Sequence, residues 1–301
     1  MKTSRETRFD RWVSVLIHLL VSIVFILVLY PLIYVVSCSF SDPALVNIGK
    51  VWLFPKGVTL AGYERIFSDS EVLIGYRNTI FYTVAGTSVN LLVTLPAAYA
   101  LSKKSLKGRK TLMMIFIFTM YFSGGLIPTY LLVKELGLLN TWAVMIILGA
   151  VSVYNLIIAR TFFESSIPPS IEESARIDGC NWTQTFLLIV LPVSKAIIVV
   201  LTLYYAIGHW NGYFNAMIYL SDRNKTTLQL VLREILLTEF SRAEMMGGGE
   251  MMSDMDSGAK VNMASLVRYG LIVVASVPVM VVYPFLQKYF YKGVMLGSVK
   301  G

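Results

Sequence analysis

Residues 167–196 read IPPSIEESARIDGCNWTQTFLLIVLPVSKA. Pro168 and Pro169 stop whatever precedes them. Ser170 is a good N-cap residue, and Glu173 three positions on completes an S-x-x-E capping box. Glu172, Glu173, Arg176 and Asp178 make one side of this first helix strongly polar. Gly179 suits the left-handed conformation that ends a helix. Asn181 caps again, with Gln184 at the matching third position. Trp182, Phe186, Leu187, Ile189 and Val190 give the second helix its apolar side, and Pro192 marks its end. The stretch is therefore a short helix, a glycine turn, a second helix and a proline.

The chain around it is built for lipid. Of 301 residues, 56% are hydrophobic and 15% charged, with a mean hydropathy of +0.66. A soluble domain carries about 25% charged residues. A span needs about 20 mostly apolar residues, and six stretches qualify: Val13–Val36, Tyr76–Leu101, Leu112–Val133, Thr141–Ala159, Val193–Leu220 and Leu266–Leu286. The expected fold is all-α, a polytopic membrane protein of six transmembrane helices. The quoted pair lies between the fourth and the fifth. The apolar run near the N-terminus is too long for a signal peptide and no small-residue cleavage site follows closely, so it reads as an uncleaved first span.

Charge gives the orientation. With the N-terminus in the cytoplasm, the inside segments hold 15 basic and 6 acidic residues and the outside segments 11 and 12. The loop KKSLKGRK, residues 103–110, is the strongest contributor to this positive-inside bias. Both termini are expected in the cytoplasm of a bacterial cell. The organisation expected is a 1–75 segment with the first span and an outer loop, a 76–290 core, and a 291–301 tail. The core holds the 168–192 loop inside and the 221–265 loop outside. The outer loop starts with TTLQLVLREILLTEF, amphipathic by the spacing of Leu228, Val231, Ile235 and Leu236. It continues as a Gly-, Met- and acid-rich stretch that reads as a flexible loop or as a contact surface for an outer partner.

Chemistry by this chain itself has little support. Cys38 and Cys180 fall on opposite sides of the membrane, which excludes a disulfide between them. His18 and His209 lie in apolar runs, so no metal site is expected and no proton relay. No G-x4-G-K-[ST] loop is present, so ATP hydrolysis belongs elsewhere. In the fifth span, His209, Trp210, Asn211, Tyr213 and Asn215 combine aromatic faces with amides, as a sugar path would. An interfacial aromatic belt with interhelical hydrogen bonds explains the same residues and is the preferred reading. Asn90 and Asn155 read as packing groups.

Three readings fit the helix pair: a structured cap on the bundle, a DNA-binding helix-turn-helix, and a docking module for a cytoplasmic partner. The second is poor, because the recognition helix would be apolar and tethered at both ends. Glu173-Ser174-Ala175, three residues, Gly179, nine residues, Ile189, one residue, Leu191-Pro192 resembles the EAA motif of permease subunits of binding-protein-dependent ABC importers. Only Ser174 departs from it, standing where the motif has Ala. The end of the chain, LQKYFYKGVMLGSVKG at residues 286–301, is similar to the tail of MalG-type carbohydrate permeases. The outer loop and HWNGYFNAMIYL look most like their complex-oligosaccharide subgroup.

The resemblance implies a type I importer permease that docks ATPase subunits. Glu173 and Asp178 would face the ATPase, with Ser174, Ala175 and Gly179 permitting close approach and the turn. Ile189, Leu191 and Pro192 would pack the second helix on the bundle. Gly297, Ser298, Val299, Lys300 and Gly301 would reach the ATPase interface. The implied partners are an unlike MalF-type permease, two ATPase subunits that use ATP and Mg, and a tethered extracytoplasmic sugar-binding protein; nucleic acid is not among them. A permease for another solute, a secondary transporter and a membrane scaffold are the alternatives.

Overall fold

The chain divides into two compact units, Met1–Asp69 with Arg233–Ser276, and Ser70–Leu232 with Val277–Gly301. The computed structural model describes residues 8–247 and 266–284, and every regular element among them is a helix.

The first unit carries the helix Arg8–Ser39. Its most apolar window has no buried face, with Phe25 and Leu27 among the exposed side chains. A helix apolar all round is stable in that state only within lipid. At its C-terminal end Cys38 packs with Val46 and Val51. The Tyr63 hydroxyl donates to Ser39 Oγ at 2.8 Å.

The second unit is built around the 33-residue helix Ser70–Ser102, about 50 Å long at 1.5 Å per residue. Its buried positions include Val72, Gly75, Thr79, Tyr82, Gly86, Asn90, Thr94, Ala98 and Leu101. That spacing of three or four is one continuous stripe along the helix. Helices Lys195–Trp210 and Val153–Ser166 pack against it. The stripe needs glycine at Gly86, because a Cβ there would overlap the His209 ring.

Three of the six expected spans are continuous: Arg11–Ser39, Ser70–Ser102 and Leu266–Pro284. The other three are interrupted. The third is Arg109–Tyr121 and Leu126–Glu135, bent by 111° where the sequence runs Ser123-Gly124-Gly125. Gly125 takes φ +86° there, a conformation glycine adopts without steric cost. The fourth is Trp142–Ile147 and Val153–Ser166, parted by an irregular turn at Gly149, φ +78°. The fifth, expected from Val193 to Leu220, is Lys195–Trp210 followed after Gly212 by Phe214–Tyr219. By length and composition the described residues hold three spanning helices, or up to five if Arg109–Tyr121 with Leu126–Glu135, and Trp182–Val193 with Lys195–Trp210, each cross once as a bent pair.

Candidate functional site, a capped helix pair with a second polar cluster

The helix pair forms as two capped segments. The first runs Pro169–Ile177. Its N-cap is Pro168, not Ser170, and no side chain caps it. Pro169 starts the helix because its fixed φ suits the first helical position and its missing N–H is not needed there. Ser170 is thereby drawn inside the helix and the expected capping box does not form.

The C-terminal end is a Schellman turn. The N–H of Cys180 donates to the Ala175 carbonyl at 2.9 Å, and that of Gly179 to the Arg176 carbonyl at 3.0 Å. Gly179 has φ +83°, with no atom within 4 Å of the place a Cβ would occupy. Conformation, not space, requires glycine here.

The second segment opens with the expected reciprocal cap. The Gln184 N–H donates to Asn181 Oδ1 at 2.8 Å, and the Asn181 N–H to Gln184 Oε1 at 2.9 Å. A wider π turn occupies Thr185–Val190 just before Pro192, and the helix runs through the proline to Val193. Pro192 has no N–H to return to the preceding turn, which favours such local widening. The chain then turns by 83° into Lys195–Trp210.

The joint is tied down on one face and open on the other. Ala175 is buried, and Phe186 and Val190 enter a core with Tyr99, Leu156 and Phe163, on which Leu191 packs. The Tyr99 ring is tilted against Phe186 at 5.0 Å and meets Phe163 edge-on at 5.8 Å. Glu172 accepts from the Tyr99 hydroxyl at 3.2 Å and forms an ion pair with Lys103, whose ammonium also lies over the Tyr99 ring. Both partners are mostly shielded, with side chains 17% and 13% exposed for Lys103 and Glu172. A second knot lies beside it: Glu164 accepts from Arg109 at 2.7 Å and Arg160 at 2.9 Å. Glu173, Ser174, Asp178 and Gly179 are exposed, Ile189 is half-buried and Pro192 exposed. Ile177 projects at 87% exposure, and Arg176 stacks on Trp182 at 4.0 Å.

Sequence reasoning placed Glu172 on the polar side of the first joint helix but gave it no partner, and did not assign Tyr99, Lys103 or Ile177 to the joint. The Tyr99–Lys103 spacing of four, at the end of a span, was the one available signal, since such pairs share a helix face. The tail residues Gly297, Ser298, Val299, Lys300 and Gly301 lie outside the described residues.

The five residues offered for a substrate path do not form one surface. His209 Nε2 lies 2.7 Å from Asn90 Oδ1. The Asn90 amide donates to the carbonyls of Gly149 at 3.3 Å and Ala150 at 2.7 Å. Irregular backbone at membrane depth needs such partners, so Asn90 does more than fill space. Trp210 is buried and tilted against Tyr76 at 6.3 Å. Asn211 donates to the Ile207 carbonyl at its own helix end. Tyr213 and Asn215 are exposed.

The N-terminal end of the Ser70–Ser102 helix carries its own cluster. Asn78 is fully buried and donates to the carbonyls of Asn224 at 2.8 Å and Thr226 at 2.9 Å. The Asn140 side chain accepts from the N–H groups of Ser221 and Asp222. The Asn224 N–H, donating to the Asp222 carboxylate at 3.0 Å, holds that group below its ordinary range against an opposing desolvation; Lys225 adds to the effect. Beside this cluster Arg77, Asn78, Phe81 and Trp142 line a cavity of about 340 Å³. Phe81 meets Trp142 edge-on at 5.3 Å. No acid among the described residues pairs with Arg77, which reaches the Asn78 side-chain oxygen at 3.4 Å.

Residues 72–296 match the model of the family described as binding-protein-dependent transport system inner membrane component. The chain belongs to this family. The permease is 42% identical to protein LplC of Bacillus subtilis (strain 168) over 271 residues, 90% of this chain and 89% of that one. It is 43% identical over 271 residues to the polygalacturonan/rhamnogalacturonan transport system permease protein YtcP of the same organism, covering 90% and 92%. Among solved structures it is similar to a chain of a bacterial ABC transporter involved in the import of the acidic polysaccharide alginate. That match has a TM-score of 0.80 and 36% identity and covers 96% of the permease and all of that chain. The permease is a multi-pass inner-membrane protein and a transport subunit, and membership implies that it works with a binding protein and further subunits.

Proposed function

We propose that the permease is one half of a heteromeric ATP-driven importer for oligosaccharides whose sugars carry carboxylates. The observation that carries the substrate class is the company it keeps. Two relatives that match it over at least nine-tenths of its length are named for acidic polysaccharides, polygalacturonan/rhamnogalacturonan in one case and alginate in the other. The Arg77 cavity supports the same class: a guanidinium matches a carboxylate, and the Phe81 and Trp142 faces suit sugar rings.

In this reading the other half is an unlike MalF-type permease, and both termini are cytoplasmic. The core is residues 76–290. Two separate ATPase subunits bind ATP and Mg and dock on the 168–192 joint. Ile177 is the apolar knob that the ATPase cleft covers, with Glu173 and Asp178 offering carboxylates around it. Closure of the ATPase dimer moves the joint, and the bundle follows because ATP binds the closed state better than the open one.

The test is ATP turnover by the assembled transporter in vesicles, with its binding protein and either oligogalacturonate or a neutral oligosaccharide of equal length. Stimulation by the acidic ligand alone, and its weakening in Arg77→Gln, is expected. Equal stimulation by both ligands refutes the substrate class. Retention of the ATPase by Ile177→Asp at wild-type affinity refutes the docking assignment.

A further inference from the structure

We propose that the permease holds an anionic phospholipid of the inner leaflet in a groove beside the joint. The groove has a volume of about 550 Å³ and is walled by Pro96, Tyr99, Leu106, Trp182, Phe186 and Leu187. It opens between the end of the Ser70–Ser102 helix and the second joint helix, where the membrane gives way to the cytoplasm in the reading above, on which this inference rests. Trp182 and Leu187 are each about half exposed, at 50% and 51%, so the apolar wall is available to a chain of methylenes.

Charge selects the headgroup. Ser105 and Lys103 line the same groove. Lys103 is engaged by Glu172, and Arg109 by Glu164. Lys104 and Lys107, which flank Ser105 and Leu106 in the loop, and Lys110 beyond them are exposed. None of the three pairs with an acid among the described residues. The local acids are thus already spent on Lys103, Arg109 and Arg160, and three cations face the leaflet surface. A phosphodiester meets this charge, the Ser105 hydroxyl donates to it, and an acyl chain fills the apolar slot. Basic clusters at the cytoplasmic ends of spans attract anionic lipid, each Lys or Arg contributing roughly a fivefold preference near the surface. A zwitterionic lipid fits the slot but gains none of that preference. Seated there, the lipid touches both Tyr99 and Phe186, the ring pair that fixes the joint.

Trp182 reports on the site directly. The assembled transporter is placed in vesicles with both leaflets alike, so that insertion direction does not matter. Quenching by brominated phosphatidylglycerol is compared with quenching by brominated phosphatidylcholine, and Trp182→Phe isolates the signal of that one side chain. Stronger quenching by the anionic lipid, falling about fivefold per lysine in Lys104→Gln and Lys107→Gln, is the expected result. Ala100→Phe, which fills the groove, leaves every charge in place and adds no second indole, removes quenching of Trp182 by both lipids. Soluble glycerol phosphate leaves the preference unchanged. Equal quenching by the two brominated lipids overturns the proposal. So does an absence of Trp182 quenching in transporter that still retains its ATPase, since a protein partner then covers the groove. Loss of the ATPase with lipid preference intact counts against the docking assignment and not against the lipid site.

Discussion

Neutralising Glu172 should loosen the joint without unfolding the bundle. Glu172→Gln removes the charge but keeps the shape, and leaves the Lys103 ammonium, at 17% side-chain exposure, over the Tyr99 ring without a carboxylate to pair with. Exposed pairs contribute about 0–1 kcal/mol, whereas breaking a buried one costs about 3–5 kcal/mol. This pair is mostly but not wholly shielded, so a loss of about 2 kcal/mol is expected. The Tyr99 hydroxyl still has an amide oxygen to donate to, so its bond limits the damage. If that energy holds the first joint helix in its docking orientation, the ATPase binds up to ~30-fold more weakly. Lys103→Met keeps the stem over Tyr99 and should weaken binding by a similar factor. The double variant should be little worse than either single, a coupling of about 1–2 kcal/mol. The assay is titration of the permease pair in lipid nanodiscs with a fluorescent ATPase subunit, for all four members of the cycle. Additive losses, with a coupling under about 0.5 kcal/mol, would show that the pair does not orient the joint.

Gly179→Val should weaken ATPase docking more than Gly179→Asn. Asn tolerates the left-handed region that a β-branched residue does not, at about 1–2 kcal/mol per L-residue; equal losses in the same titration would refute this. Asn90→Leu leaves the Gly149 and Ala150 carbonyls and the His209 ring short of partners, at about 1–3 kcal/mol for each group left unsatisfied. It should lower the thermal stability of the purified permease, and an unchanged melting curve would contradict the role given to Asn90. Asp222 has a depressed folded-state pKa, so its contribution is complete above the ordinary carboxylate value and is lost as pH falls through the lower folded one. Hydrogen exchange at the Asn224 amide, corrected for intrinsic rate, should stay protected from pH 7 to 5 and rise only below the ordinary range; Asp222→Asn should remove that pH dependence.

The joint was legible because its code is short-range. A glycine at φ +83° and the Asn181–Gln184 box are decided within four residues of chain. The same locality misled at Ser170, where two rules competed and proline at the first helical position won over a serine cap. The all-α spanning fold was legible from hydropathy, but its interruptions were not. An average over about 19 residues does not register Ser123-Gly124-Gly125 or Gly149 as breaks while apolar residues surround them. The ties that hold the site were out of reach for another reason. Lys103 and Glu172 are 69 positions apart and Asn90 and His209 are 119, and no periodicity in one chain pairs them. Asn90 was taken for packing because nothing near it in sequence asks for a donor. The donor is needed by backbone carbonyls freed at a break that hydropathy had hidden.

The long helix Ser70–Ser102 connects these contacts. From its N-terminal end onward, Asn78 and Tyr82 hold the carbonyls of 224–226, Asn90 holds His209 and the broken span, and Thr94 meets the Tyr205 hydroxyl at 2.8 Å. Tyr99 then holds Glu172 at the joint, with Lys103 just past the helix end. Polar contacts within apolar surroundings are costly to break and leave no water to replace them. Packed elements of this kind change arrangement as units instead of bending smoothly. If ATPase closure acts on the joint, as proposed above, the push is delivered along this helix, and the two ends of the chain of contacts should fail differently. Glu172→Gln cuts the helix from the joint, so ATP turnover loses its dependence on loaded binding protein while the bundle keeps its stability. Asn90→Leu leaves the joint attached and docking intact, but frees the broken span that the helix must carry, so ATP is spent without transport. If both variants instead lost docking and stability together, the helix would be a passive core element and force would have to reach the bundle through Lys195–Trp210.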